Sequence, residues 1–434
     1  MNNGKKFDYK WVIVGLSFMM VLVALGFCSS PKSLYIGPVS SALGIDRSAY
    51  SITDSCRYVA TAVVNIFFGF LVGKFGAKKL ILAGFGSLII SSLLYATATN
   101  VWLLYLAGIF LGIGLSWTAT TMVGYVVTKW CKENKGTIMG AVLASNGIGG
   151  AVAIQIISPI VKSSAEGYRT AYLVVASILA AVFVILAIFF KDKPILENEG
   201  EAPEETKKKK SRGADWVGIE FGKVLRTPYL YMALVCIFFS GFILQGIWGI
   251  TAAHLEDVGI DATTVSLVLS VHSLVIAISK FSTGFLYDKF GLRVTSTFCT
   301  VVAVVSAVLM TFIDGSPFGI MLAFIYGVIC SFALPLETVM LPIYANDLFG
   351  AKSFDKVLGL FVSVNTAGYA VGAPVMNLCY DVLGSYVPAL IVAAVIMAVL
   401  VILLQVVITS AHKMRQAVER EESSSPISEV GAVS

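Results

Sequence analysis

Residues 270–293 read SVHSLVIAISKFSTGFLYDKFGLR, and this stretch organises the chain. It opens as an apolar helix suited to lipid and closes in a charged turn that carries glycines. Lys280 stands eight residues before Asp288. At about 1.5 Å per helical residue, that is roughly 12 Å inside the membrane edge. A charge at such depth is costly and should face an aqueous cavity. The closing turn, residues 284–293 (GFLYDKFGLR), repeats an earlier one at 69–78 (GFLVGKFGAK). Seven positions agree in type, all at the one offset that separates Gly69 from Gly284.

Composition sets the class. The 434 residues are 57% hydrophobic and only 13% charged, against about 25% charged in an ordinary soluble domain. This excludes a soluble protein. At about 20–25 residues per span, the length accommodates twelve helices. Apolar runs place them near 11–35, 49–72, 79–99, 102–128, 137–161, 169–190, 228–253, 262–287, 294–313, 317–345, 357–380 and 386–410. Lysine and arginine divide 25 to 3 between the two sides, with Lys32, Arg57 and Lys280 inside spans. This bias predicts both termini in the cytoplasm. The net charge of +5 thus follows topology and gives no sign of nucleic-acid binding. Seven scattered cysteines form no CxxC pair and read as small core residues.

A second repeat lies in spans five and eleven. Gly140, Asn146 and Gly149 recur with the same spacing as Gly359, Asn365 and Gly368. The predicted fold is therefore an all-α integral membrane protein, with twelve transmembrane helices as two six-helix halves related by a parallel repeat. The expected organisation is an N-terminal half over 1–190, a cytoplasmic linker over 191–226, a C-terminal half over 227–410 and a disordered cytoplasmic tail over 411–434. The linker's acidic 199–205 and basic 207–210 runs read as a solvated segment near the lipid surface. Paired halves of this kind hold a substrate site between them at mid-depth. The small-residue runs of spans five and eleven read as close-packing surfaces that would let the halves slide during rocking and need bind nothing.

On these turns and repeats the chain resembles the major facilitator superfamily. The resemblance implies gating roles for Asp288, with Lys289, Arg293 and Lys74 in the same two turns; Gly73 lacks the acid that Asp288 supplies. Phe27, Pro31, Lys32 and Ser33 resemble the first helix of proton-linked monocarboxylate transporters, in which the lysine takes part in proton and anion binding. Of that family's span-eight arginine and aspartate, Lys280 occupies the first place and Ile276 the second. Residues 9–12 (YKWV) and 167–169 (GYR) also resemble the oxalate:formate exchangers. Those use a second cation in span eleven, where this chain has Thr366 and Ala367. A monocarboxylate is thus expected ahead of a dicarboxylate.

The remaining candidates come from the residues themselves. Arg57 either pairs with Asp54, one helical turn away, or grips a carboxylate in the cavity. Glu337, flanked by apolar residues and two positions after Pro335, is a proton carrier, a partner for Lys280 or a packing residue. His272 could face the same cavity and take a proton. Asn146 and Asn365 are candidate pocket residues, as are Gln155, Gln245, Trp117, Trp248 and Tyr35. No HExxH, GxSxG or P-loop pattern occurs, so neither an enzyme nor ATP drive is expected, and no cofactor or metal. The leading reading is a secondary transporter of a small organic anion, by proton symport or anion exchange. The alternative is a proton-driven exporter of amphipathic compounds or drugs. Oligomeric state is not legible.

Overall fold

The computed structural model describes residues 9–131, 135–192 and 218–424. Most of the linker, including both charged runs, lies outside the described residues. So do residues 425–434 of the tail.

The chain is helical throughout the described residues and crosses the bilayer repeatedly. Among the described residues, eleven helices are long and apolar enough to span it. The remaining span, the second in order, runs as Arg47–Ile66 and Phe68–Phe75. Its charges (Arg47, Asp54, Arg57, Lys74) and its break at Phe67 keep it below that threshold. Spans three, five and six are Ala77–Thr97, Lys135–Lys162 and Gly167–Phe189. Spans seven, eight and nine are Pro228–Asp257, Ala262–Phe290 and Leu292–Thr311, and span eleven is Phe354–Leu383. The last helix, Val387–Ser424, continues well past Ala411, where the sequence placed the start of the tail.

Three further spans are broken among the described residues. Span one stops at Cys28, turns through the 3-10 segment Lys32–Tyr35 and resumes as Ile36–Leu43. Span four is interrupted at Ala119, between Val101–Thr118 and Thr120–Trp130. Span ten is interrupted between Pro317–Ser331 and Pro335–Thr338, then continues as Met340–Phe349. Proline explains span ten, because Pro335 has no backbone N–H to donate. Ala119 and Leu334 are separated by the same offset as the two turns, so the breaks in spans four and ten are copies of one feature.

Backbone geometry repeats at that offset too. Gly76 and its counterpart Gly291 sit at φ 80° and 83° and end the turns quoted above. Only glycine takes such angles without strain. In the first turn, where Gly73 stands in the acid's place, Asp192 from beyond span six accepts a hydrogen bond from the Lys78 N–H at 2.9 Å.

The glycines of spans five and eleven pack closely, as the sequence reading has it, but at Gly149 and Gly368 they do so within each half. A Cβ at Gly149 would lie 2.1 Å from the Leu22 carbonyl oxygen of span one. A Cβ at Gly368 would lie 2.3 Å from the Phe238 oxygen of span seven. These repeated glycines fix helix pairs inside each half and are not a sliding surface between halves. Gly147 and Gly150 press across the interface, against Ser273 of span eight.

The halves meet chiefly along span two against eleven and span five against eight. A group of ion pairs and hydrogen bonds latches them together toward the face opposite the chain termini. Arg47 holds Asp257 with two bonds, at 2.5 and 2.9 Å, and stacks 4.0 Å over the Tyr380 ring. Lys162 meets Glu256 at 2.5 Å. Asp381 of span eleven accepts from the Arg47 and Ser48 N–H groups, at 3.2 and 3.0 Å. These are the first free donors of span two, so a carboxylate from one half caps a helix of the other. Asp46, at the N-cap itself, makes no such side-chain bond, whereas its counterpart in the second half, Asp261, caps its own helix at Thr264.

Candidate functional site

A cavity of about 400 Å3 lies between the halves, beside the breaks in spans one, four and ten. The first half contributes Ser29, Ser30, Arg57, Tyr58, Thr61, Thr120, Thr121 and Asn146. The second contributes Gln245, Trp248, Ser273, Lys280, Glu337, Thr338 and Tyr369. The broken spans one, four and ten each deliver residues here, because an interrupted helix frees backbone and short side chains to line a polar space.

Arg57 pairs with Asp54, as the first of the two readings has it, and also lines the cavity. Its Nη2 lies 3.0 Å from Asp54 Oδ1, and its Nη1 donates to Ser29 Oγ at 2.9 Å. Its guanidinium also stacks 4.2 Å over Tyr58, and the side chain still lines the cavity. The same Asp54 oxygen receives the Lys32 ammonium. Lys32 therefore does not stand on the cavity wall. It lies one layer behind it, beside Tyr35, Tyr95 and Tyr172. The three charges form one cluster, and the break after Cys28 is what turns Lys32 inward toward span two.

The opposite wall is organised differently. Lys280 is half-buried on the cavity and has no hydrogen bond or ion pair among the described residues. Glu337 is buried, with Oε2 accepting from Gln245 Nε2 at 2.9 Å, the Tyr369 hydroxyl close to the carboxyl, and Oε1 without a well-formed hydrogen bond. Gln245 in turn accepts from the Tyr58 hydroxyl at 3.4 Å, so a thin polar chain joins the two walls. The Tyr58 and Tyr369 rings meet across the same gap, with centroids 5.3 Å apart.

Other expected residues fall elsewhere. His272 does not face the cavity. It stacks behind Trp248, ring centroids 4.1 Å apart, and Nδ1 lies against Gly327 O and Ser331 Oγ at 3.1 and 2.9 Å. Asn146 is on the wall with Oδ1 unpartnered, but its repeat Asn365 is buried and donates to the Ile237 carbonyl at 3.0 Å. Trp117 and Tyr35 pack in the core and Gln155 bonds Ser266 and Ser270 across the interface, so none of the three lines the cavity.

At the terminus-bearing face, Arg293 bonds Thr409 at 2.7 Å. Lys289 lies over Phe290, and Lys74 over Phe70 and Phe75. Asp288 makes no ion pair among the described residues. The latch of Arg47, Lys162, Glu256, Asp257 and Asp381 went unread in the sequence. Its signal was present: Arg47 and Lys162 are two of just three cations on that side.

Comparison with known proteins agrees with this architecture. The profile of the Major Facilitator Superfamily matches residues 11–255 and again 233–433. The chain is 22% identical to the sialic acid transporter NanX of Escherichia coli (strain K12), over 65% of this chain and 64% of that one. It is 24% identical to monocarboxylate transporter 13 of Rattus norvegicus, over 74% and 71%. It is 22% identical to the oxalate:formate antiporter of Oxalobacter formigenes, over 83% and 84%. The chain spans just under two thirds of the length of the first curated relatives it matches. The fold superposes on the nucleoside transporter NupG with a TM-score of 0.74 at 13% identity, covering 92% of this chain and 99% of that one.

Proposed function

Because the chain belongs to the Major Facilitator Superfamily, and so is a membrane transporter, we propose that it carries a small organic anion, of the monocarboxylate kind, by alternating access. The carrying observation is that Arg57 and Lys280 face one cavity from opposite halves. A shared anion can be gripped from both sides, so its binding is felt by both moving bodies. The site and its buried neighbours hold three cations (Lys32, Arg57, Lys280) and two carboxylates (Asp54, Glu337). With both acids ionised the balance is one positive charge, which a monoanion neutralises and a dianion overshoots.

Names of relatives support the same class. A monocarboxylate transporter and an oxalate:formate antiporter are both similar to this chain. Proton symport and anion exchange are the two coupling modes considered. Glu337 suits the first, since it is a buried acid of the cavity lining with Oε1 free of any hydrogen bond among the described residues. Lys32 would then act on Arg57 through Asp54. Export of amphipathic compounds fits less well, because two cationic side chains on the wall would repel lipophilic cations.

The expected setting is the cell membrane, with both termini cytoplasmic. The latch then closes the outer face and the cavity opens inward. The halves at 1–190 and 227–410 are the rocking bodies, with 191–226 as linker and 411–434 as tail. In this cycle Asp288, Lys289, Arg293 and Lys74 would form contacts on the inner face once the outer latch has parted.

Thermal stabilisation of the purified protein by mono- and dicarboxylates, amino acids and lipophilic drugs tests the reading. A ligand at a hundred times its Kd adds about 2.7 kcal/mol. Small carboxylates should stabilise the wild type, and Lys280→Ala should lose that response. Stabilisation by lipophilic cations alone would overturn the proposal.

A further inference from the structure

Four buried polar atoms on the cavity wall lack any hydrogen-bond partner among the described residues: Arg57 Nε, Asn146 Oδ1, Ser273 Oγ and Glu337 Oε1. Buried polar groups are nearly always paired, and an unpaired one costs about 1–3 kcal/mol. Four around one cavity, two from each half, describe the complement of what belongs between them.

The four are not alike. Arg57 Nε is a donor and, with the Lys280 ammonium, suits a carboxylate. Asn146 Oδ1 and Glu337 Oε1 are acceptors. A plain carboxylate has no donor to give them. A cargo ammonium group would supply donors, but a zwitterion brings no net negative charge to a site with one positive charge in excess. Neutral hydroxyl groups answer both requirements. They donate to Asn146 and Glu337, and they can also accept from Ser273.

Size points the same way. Small-molecule pockets run from about 300 to 1,000 Å3. A cavity of about 400 Å3 lies at the small end of that range, yet at about 30 Å3 per water it would hold on the order of a dozen waters. A two- or three-carbon acid leaves most of that volume wet. The aromatic faces of Tyr58, Trp248 and Tyr369 supply flat apolar surface of the kind a carbon ring or chain with hydroxyls can lie against.

We propose that the cargo is a polyhydroxylated monocarboxylate, a molecule of the sugar-acid class. Its carboxylate lies between Arg57 and Lys280, and its hydroxyls bond Asn146, Ser273 and Glu337. This rests on the organic-anion reading above and narrows it.

The test is a matched ligand panel on the full-length protein in detergent or nanodiscs, read as thermal shift and as Kd. Gluconate and glucuronate are compared with hexanoate, of the same carbon count, and with propionate and acetate. The expected result is at least tenfold tighter binding of the hydroxylated acids than of hexanoate. The variant Asn146→Leu should reduce that ratio while hexanoate binding holds or improves. Equal affinity for gluconate and hexanoate overturns this inference and leaves the organic-anion reading standing. A response to none of the carboxylates overturns that earlier reading itself. If Asn146→Leu fails to fold, the wild-type ratio alone decides.

Discussion

The two walls of the cavity hold their charges in opposite ways. On the first-half wall, Arg57 is tied to Asp54 and Ser29, and Asp54 is tied again to Lys32. On the second-half wall, Lys280 makes no hydrogen bond or ion pair among the described residues and feels the Glu337 carboxyl only at a distance, and Glu337 keeps one oxygen without a hydrogen bond. The first arrangement is a preassembled anchor whose geometry survives without cargo. The second is incomplete until something arrives. A site built this way separates holding from sensing, because the charge that must change its surroundings during the cycle is the one not already neutralised.

The largest expected effect tests the anchor. Asp54→Asn leaves the Lys32 and Arg57 charges adjacent and unneutralised, and breaking a buried pair costs about 3–5 kcal/mol. With both partners slightly exposed, the lower end applies, and unfolding temperature should fall accordingly. A stability near wild type would show that the triad is not a structural unit. Next is Lys280→Met. No partner is orphaned, so stability should barely move. Anion affinity should drop roughly ten- to a hundredfold, since a hydrogen bond to a charged group contributes about 1.5–3 kcal/mol. A stability loss as large as that of Asp54→Asn would erase the contrast between the walls.

Gln245→Leu sharpens the contrast with a smaller effect. It strips Glu337 Oε2 of its donor and cuts the chain to Tyr58, at about 1–2 kcal/mol in stability. If Glu337 carries the proton, the pH profile of uptake should shift as well; an unmoved profile removes Glu337 from that role. Smallest is Asn365→Ala, which frees the Ile237 carbonyl for about 1 kcal/mol and should leave anion Kd unchanged. Altered affinity there would mean that the buried asparagine reports on the cavity after all.

That last pair shows how far the sequence could be read. Asn146 and Asn365 look equivalent within their repeated glycine frames, and the helices bearing them are equivalent. Their side chains are not. Gly241 of span seven lets Asn365 pack against span seven, whereas Asn146 belongs to the cavity lining. Repeats are legible because backbone packing and turn geometry demand the same residues twice, as at Gly76 and Gly291 or Gly149 and Gly368. Charges inside spans are legible because lipid punishes them, which singled out Arg57, Lys280 and Glu337. What the linear text hides is the third dimension of each choice. Lys32 turns away from the cavity because span one breaks before it. His272 lies behind Trp248 because both rings fill one interhelical gap. The latch pairs residues from different halves, and no spacing rule reaches that far.

The clamped glycines also bear on mechanics. Backbones pressed together at Gly149 and Leu22, and at Gly368 and Phe238, make stiff two-helix beams, since neither helix can roll without the other. Spans four and ten carry joints instead, at Ala119 and at 332–334, both at the level of the cavity. In a frame of stiff beams and jointed struts, strain collects at the joints. Flexing of the molecule between its two faces is therefore concentrated beside the bound cargo, and a ligand that wedges either joint would stall the cycle without touching Arg57 or Lys280.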